Sequence, residues 1–279
     1  MKVFLACVSL VFLAACGGGG GGGSGGTSPA PEARTLYYGY YGNRDTQLQE
    51  TQNHTNLLVE LGHGGEEFQV SSIAAWRKPT ILGLQSQVWI GSPPFILNPN
   101  AEAQVRIKLQ RLHSLGLLQY VVALYPVDEP DLTAQDNDVA FVLDMLRRVA
   151  AEFPELAGVK LAVIYAPSGR LPNLDKFDWV GIDNYAIGAQ VLGATYDDLG
   201  AQLRPDQKTI LIPGGYIGAD PAPFTERALS DSRVAAMIPF IWYDNADPAN
   251  NVIAGIRSNG MAAAYCAAGK AITKLSGGC

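Results

Sequence analysis

From residue 35 onward the chain alternates between two hydrophobic periods. Short runs rich in β-branched and aromatic residues read as buried strands. They fall at Leu36–Tyr41, Asn56–Leu61, Thr80–Leu84, Tyr120–Tyr125, Lys160–Tyr165, Trp179–Asp183, Thr209–Pro213 and Ala236–Trp242. Between them the period lengthens to that of a helix. Glu102–Leu115 carries Val105, Leu109 and Leu112 on one face. Asp138–Ala150 repeats Val139, Val142, Leu143, Leu146 and Val149 as one stripe. Thr133 and Asp136 offer caps ahead of it. Glu66–Trp76, Asp197–Leu203 and Pro223–Leu229 predict shorter helices. The segment between Tyr165 and Trp179 is too rich in proline for a long one.

Strands joined by helical crossovers, with no hairpin signals, predict a parallel sheet. Eight such strands is the closure number of the (β/α)8 TIM barrel. Residues 35–279 match its usual size of about 250 residues. The expectation is one α/β domain of that architecture. The competing open, doubly wound sheet shows a glycine-rich phosphate turn after its first strand. Tyr41-Gly42-Asn43-Arg44 is not that turn.

Composition narrows the class of partner. A chain that is 48% hydrophobic has a core and is not disordered. Its formal charge is −6, and no basic run follows the first residues. Nucleic acid is therefore not an expected partner. The three histidines, His54, His63 and His113, show no ligand spacing with the cysteines, so neither a metal nor a cofactor is expected.

The first residues stand apart from the domain. Lys2 is followed by an apolar stretch from Val3 to Ala15, shorter than the roughly 20 residues of a membrane span. Residues 1–15 therefore read as a signal peptide. Leu13-Ala14-Ala15-Cys16 resembles the lipobox of bacterial lipoproteins. That resemblance implies that Cys16 is lipidated and becomes the first residue. Gly17 is not the aspartate associated with inner-membrane retention, so the outer membrane of the cell envelope is the expected address where one exists. An ordinary secretory signal with a chance cysteine is the alternative. Gly17–Gly26 is almost pure glycine and Thr27-Ser28-Pro29-Ala30-Pro31 follows, so residues 16–34 read as the lipidated cysteine and a flexible tether. Membrane contact is expected through the lipid only. Cys7 leaves with the signal, which leaves Cys266 and Cys279 in an oxidising compartment. A disulfide is the economical pairing, and two free thiols are the other reading.

In a barrel of this kind chemistry gathers at the C-terminal ends of the strands. The first strand is followed by Tyr40, Tyr41, Asn43 and Arg44, and the second by Glu60 and His63. The third leads to Gln85, Gln87 and Trp89; the fourth to Tyr125, Asp128 and Glu129; the fifth to Tyr165 and Ser168. The sixth carries Asp183, Asn184 and Tyr185, the seventh Gly214, Gly215 and Tyr216, the eighth Trp242, Tyr243, Asp244 and Asn245. Acids, amides and aromatics dominate. Aromatic faces stack on the C–H faces of sugar rings, while amides and carboxylates bind hydroxyls. Phosphate would want basic residues or a glycine nest at a helix start. Tyr40, Glu60, Gln85, Tyr125, Asn184, Tyr185, Tyr216, Trp242 and Asp244 are the candidate carbohydrate-binding residues. Asp128, Glu129 and Asp183 are the candidate catalytic ones.

Three segments resemble the retaining barrel glycosidases of clan A. Leu124-Tyr125-Pro126-Val127-Asp128-Glu129-Pro130 is similar to their Asn-Glu-Pro segment after the fourth strand. Asp178–Tyr185 is similar to their sixth strand, and Ile241-Trp242-Tyr243-Asp244 to their eighth. The resemblance implies that Glu129 is the acid/base and that Trp242 floors the sugar site. The chain also departs from the pattern. Ile210-Leu211-Ile212-Pro213-Gly214-Gly215-Tyr216 ends without the family's nucleophilic glutamate, and Asp128 replaces the usual asparagine. Glu129 would then be the general acid and Asp183 the base or electrostatic partner. Their carboxyls could take the wider spacing of inverting enzymes, roughly 6.5–9.5 Å. Attack by a substrate acetamido group is a further route. A barrel that binds glycans without turnover and a structural envelope lipoprotein are the other two function classes.

Overall fold

The computed structural model describes residues 34–42, 45–61, 66–183, 185, 189–246 and 252–279. Cys16, the tether, Asn43, Arg44, His63 and Asn184 lie outside the described residues. Thr35–Cys279 forms one unit.

All eight predicted strands are present. They are β1 (Tyr37–Tyr38), β2 (Leu58–Glu60), β3 (Thr80–Gly83), β4 (Val121–Tyr125), β5 (Lys160–Tyr165), β6 (Trp179–Ile182), β7 (Lys208–Leu211) and β8 (Val234–Met237). Every pairing among them is parallel, each strand lying beside the next from β2 to β8, with β1 against β8. The result is a curled eight-stranded sheet. β1 and β2 share no ladder. Instead the N–H groups of Asn56 and Leu57 both donate to the Tyr38 carbonyl, at 3.0 and 3.1 Å. The Asn56 side chain accepts from the Tyr38 N–H at 2.7 Å and donates to the Leu36 carbonyl at 3.0 Å. Gly39 permits this approach, since a Cβ there would stand 2.3 Å from the Leu57 carbonyl oxygen.

Side-chain alternation divides the core in two. Tyr41, Val59, Leu61, Ile81, Ala123, Tyr125, Ala162, Ile164, Trp179, Ile210 and Ile212 pack together on the inner face of the curl. Tyr38, Tyr40, Leu58, Leu82, Leu124, Val163, Val180 and Leu211, their chain neighbours, pack outward against the helices. Those helices are α1 (Asp45–Thr51), α2 (Glu66–Trp76), α3 (Ala101–Ser114), α4 (Asp136–Ala150), α5 (Ala189–Gln202), α6 (Ala222–Ser230) and α7 (Ala262–Thr273). The predicted stripe of α4 is buried along its whole length.

Several expectations are corrected. Gln135, not Thr133 or Asp136, is the residue before α4, because the helix begins at Asp136 itself. Thr133 instead donates its hydroxyl to the Asp128 and Glu129 carbonyls, at 2.7 and 2.9 Å. α5 starts at Ala189, eight residues earlier than its charged half suggested. α7 has the weak periodicity of an Ala- and Gly-rich stretch and went unread. Among the described residues two short antiparallel pairings occur, Trp89–Ile90 with Ile96–Leu97 and Asn245–Ala246 with Val252–Ile253. Each has only two residues per strand, too few for a period to register. Cys266 of α7 and Cys279 are joined by a disulfide with Cα atoms 5.7 Å apart.

Candidate functional site

Inward parity carries three polar side chains to the C-terminal end of the curl. Tyr41 follows β1, Tyr125 ends β4, and Asp183 keeps the parity of Trp179 beyond β6. Both phenols donate to one carboxylate. The Tyr41 hydroxyl reaches Asp128 Oδ2, and the Tyr125 hydroxyl reaches Oδ1 at 2.6 Å. Both tyrosines are held well above the ordinary phenol pKa, first by burial and then by the Asp128 charge. The Asp128 N–H donates to Gln85 Oε1 at 3.3 Å, which brings Gln85 to the edge of the same group.

Glu129 sits in the left-handed region, with φ 45° and ψ 56°. For a residue other than glycine this conformation costs roughly 1–2 kcal/mol, so the surroundings must impose it. They do so from both sides. The Glu129 N–H donates to the Ile164 carbonyl of β5 at 3.0 Å. Its own carbonyl accepts from the Leu132 and Thr133 N–H groups, at 2.9 and 3.0 Å, and from the Thr133 hydroxyl. Pro130 then opens a single helical turn. The Glu129 carboxyl is half-buried. Burial first, then the charges of Asp128 and Asp131, raise its pKa.

Asp183 is only 7% exposed. Its backbone N–H donates to the Tyr165 carbonyl at 2.9 Å. Burial, followed by the Asp128 charge, pushes its pKa up to about 8; a hydrogen bond with Tyr185 opposes the rise, and Glu129 adds to it. At neutral pH Asp183 therefore carries its proton. Among the described residues Oδ1 is buried with no hydrogen-bond partner. Three carboxyls from the ends of β4 and β6 thus stand within electrostatic reach of one another.

Aromatic rings border them. Tyr185 lies 5.4 Å from both Tyr216 and Phe240 between ring centroids, and Phe240 lies 5.1 Å from Tyr41. Gly214 makes room for this group, since a Cβ there would meet Tyr185 Cβ at 2.8 Å. Tyr185 thus packs over Gly214, just beyond the end of β7. Phe240 was missed as a site residue. In an unbroken strand Phe240 and Trp242 share a face, but the chain bends at Trp242, and only Phe240 stays with the inner cluster.

The other sequence candidates divide clearly. Tyr40, Glu60 and Trp242 do not join the inner group. Tyr40 and Trp242 lie in the outer core, their rings 4.8 Å apart, with His54 5.8 Å from Trp242. Trp242 is 5% exposed, and its indole N–H donates to Glu50 at 2.7 Å. Glu60 is buried with the outward parity of Leu58. Asp244 is exposed and engaged by the Gly255 N–H and the Ser258 hydroxyl, both at 2.9 Å, with Arg257 at 3.6 Å. Those bonds, the Gly255 one first, hold its pKa below the usual carboxylate range. Among the described residues no three His, Cys, Asp or Glu side chains are grouped to hold a metal ion.

No protein-family model matches the chain, and no curated protein matches it in sequence. Its fold is that of solved glycoside hydrolases. An FMN-binding β-glucuronidase from Facaelibacterium prausnitzii L2-6 superposes with a TM-score of 0.58 at 10% identity, covering 85% of this chain and 44% of that one. A GH2 β-galacturonidase from Eisenbergiella tayi bound to galacturonate gives 0.53 at 8% identity, covering 83% and 47%. A GH113 β-1,4-mannanase gives 0.51 at 9% identity, covering 85% and 98%. The chain thus spans about half the length of the first two and nearly all of the third. At these identities the likeness is one of fold.

Proposed function

We propose that this chain hydrolyses an oligosaccharide at the strand-end group of Asp128, Glu129 and Asp183, with Glu129 as the proton donor. The observation that carries this reading is Glu129 itself. A half-buried acid is locked in a strained backbone conformation, beside a second carboxylate and within electrostatic reach of a third, at the strand ends of a glycosidase-type fold. The same reading takes the curled sheet as a closed barrel, with Asn56 bridging the seam between β1 and β2.

The division of labour follows from the environments. A general acid must hold its proton near neutral pH, and the crowding of Glu129 favours that. Asp128 accepts hydrogen bonds from two phenols, which stabilise a negative charge on it. It would face the positive charge that develops on the sugar ring. Asp183 is a hydrogen-bond donor below pH 8 and a base only above it. Tyr185, Tyr216 and Phe240 supply ring faces for the sugar.

Incubation with a panel of oligosaccharides tests the reading. Glu129→Gln should abolish turnover and leave binding intact, because the swap removes the proton but keeps the shape. Full activity in that variant would remove Glu129 from its role. A second reading is favoured by one feature: the end of β7 carries Gly214, Gly215 and Tyr216 and no carboxyl. If the wild type binds glycans and hydrolyses none, this is a binding barrel.

Membrane attachment through Cys16 belongs to the same proposal. Its support is the resemblance of Leu13–Cys16 to a lipobox. Cys16→Ser should release the chain from the membrane fraction, and unchanged association would refute lipidation.

A further inference from the structure

The left-handed turn at Glu129 needs an anchor outside itself. The backbone supplies only part of one. Asp128 forms an isolated parallel bridge with Ile164, and the Glu129 N–H donates to the Ile164 carbonyl at 3.0 Å. In a parallel ladder the Ala166 N–H would next donate to the Glu129 carbonyl. That carbonyl has turned away to the N–H groups of Leu132 and Thr133, because Pro130 opens a helical turn there. Ala166 is 3% exposed, so its N–H must find another acceptor. It finds a side chain. Asp131 Oδ1 accepts from the Ala166 N–H at 3.1 Å. The second oxygen, Oδ2, accepts from the Ser168 hydroxyl, whose oxygen in turn accepts from the Arg170 N–H at 3.2 Å. Asp131 is itself only 7% exposed. Its carboxyl thus takes the place of the missing carbonyl and carries the β4–β5 pairing past the point where the backbone leaves it. A helix of one turn does not hold its own shape, so Pro130–Thr133 depends on such bonds.

Resting on the hydrolase reading above, we propose that Asp131 is a positioning residue. By bonding Ala166 and Ser168 it clamps the Pro130–Thr133 turn to the end of β5 and fixes the direction in which Glu129 presents its carboxyl. It acts through Glu129 and carries no proton in the reaction. Thr133 holds the same turn from its other end, through the Asp128 and Glu129 carbonyls.

The test compares variants of the full chain by steady-state kinetics on the oligosaccharide that wild type hydrolyses. Asp131→Ala should lower kcat by about 10–100-fold, the cost of misplacing a catalytic group by about an ångström, with KM within about twofold of wild type. Asp131→Asn should recover most of that loss, since its amide oxygen still accepts from Ala166 and its NH2 donates to the Ser168 hydroxyl. Ser168→Ala removes one of the two bonds and should lower kcat by about threefold; it serves if Asp131→Ala does not fold. The control is Asp178, whose Oδ2 accepts from the Leu161 N–H at 2.8 Å near the opposite end of β5. Asp178→Ala should cost stability and leave kcat unchanged. Wild-type kcat in both Asp131→Ala and Ser168→Ala, an equal loss in Asp178→Ala, or no recovery in Asp131→Asn would overturn the positioning role. A wild-type chain that hydrolyses no glycan would overturn the hydrolase reading instead. Amide exchange then decides the clamp: in Asp131→Ala the Glu129 N–H should exchange about tenfold faster relative to that of Leu161, and unchanged protection would overturn it.

Discussion

Two aromatic clusters in this molecule are built from nearly adjacent residues and have opposite characters. Tyr40 and Trp242 pack outward with His54, whose pKa burial lowers to about 4. Tyr41 and Phe240, one and two residues away, pack inward beside Asp128 and Tyr185. The outer cluster is buried and serves stability. The inner one stands beside the half-buried Asp128 and Glu129 and the buried Asp183, whose burial and charges raise the pKa of Glu129 and Asp183. The difference shows that a residue at a strand end joins a site through the face it takes, and proximity to the strand end is not enough. Trp242 is part of the outer core, and Phe240 is the ring that stands with the inner carboxyls.

Four experiments sharpen or break this contrast. The largest effect belongs to the inner group: Glu129→Gln should lower turnover by about 10²–10⁴-fold, with unchanged melting behaviour. Trp242→Ala comes next and should act on the outer cluster, costing about 3–5 kcal/mol of stability. The affinity of the fraction that remains folded should not change. A stable Trp242→Ala variant with weakened sugar binding would reverse the assignment of the two clusters. Phe240→Ala should do the opposite, weakening glycan affinity by about tenfold while costing less stability than Trp242→Ala.

The fourth effect is a pH dependence. Asp183 has a folded pKa of about 8 against an ordinary value of 3.8. Between these values the folded chain holds a proton that the unfolded chain releases. Its contribution to stability therefore falls as pH rises through that window and is flat beyond it. Asp183→Asn should make the chain more stable than wild type at pH 8, by on the order of 2 kcal/mol, with the gap closing toward pH 4. Chemical denaturation at a series of pH values measures this. A gap that widens toward acid would show that Asp183 is ionised in the folded chain.

Much of the fold was legible because its signals are local and strong. Continuous apolar runs marked all eight strands, and the stripe of α4 was readable residue by residue. The parts that escaped depend on information spread across the chain. α7 is bland in sequence and gains its place by packing, with Gly269 pressed against the His54 carbonyl and the Tyr38 ring. The site shows the same division. Asp128, Glu129, Asp183, Tyr125, Tyr185 and Tyr216, which the sequence placed at strand ends, do stand close to one another because each ends or closely follows an apolar run. Tyr40 and Trp242 were included because a chain position does not reveal where a strand stops alternating. β8 ends at Met237, so parity no longer governs Trp242. The left-handed conformation of Glu129 has no signature in its own residue type, since the bonds that impose it come from Ile164, Leu132 and Thr133.

The central claim is that the inward carboxyls hold a sugar. A crystal structure of the Glu129→Gln variant with a bound oligosaccharide tests it most directly. A sugar ring is expected between residue 129 and Asp183, with a ring face of Tyr185, Tyr216 or Phe240 against it. A sugar stacked on Trp242, or no sugar at these carboxyls at saturating glycan, would contradict it.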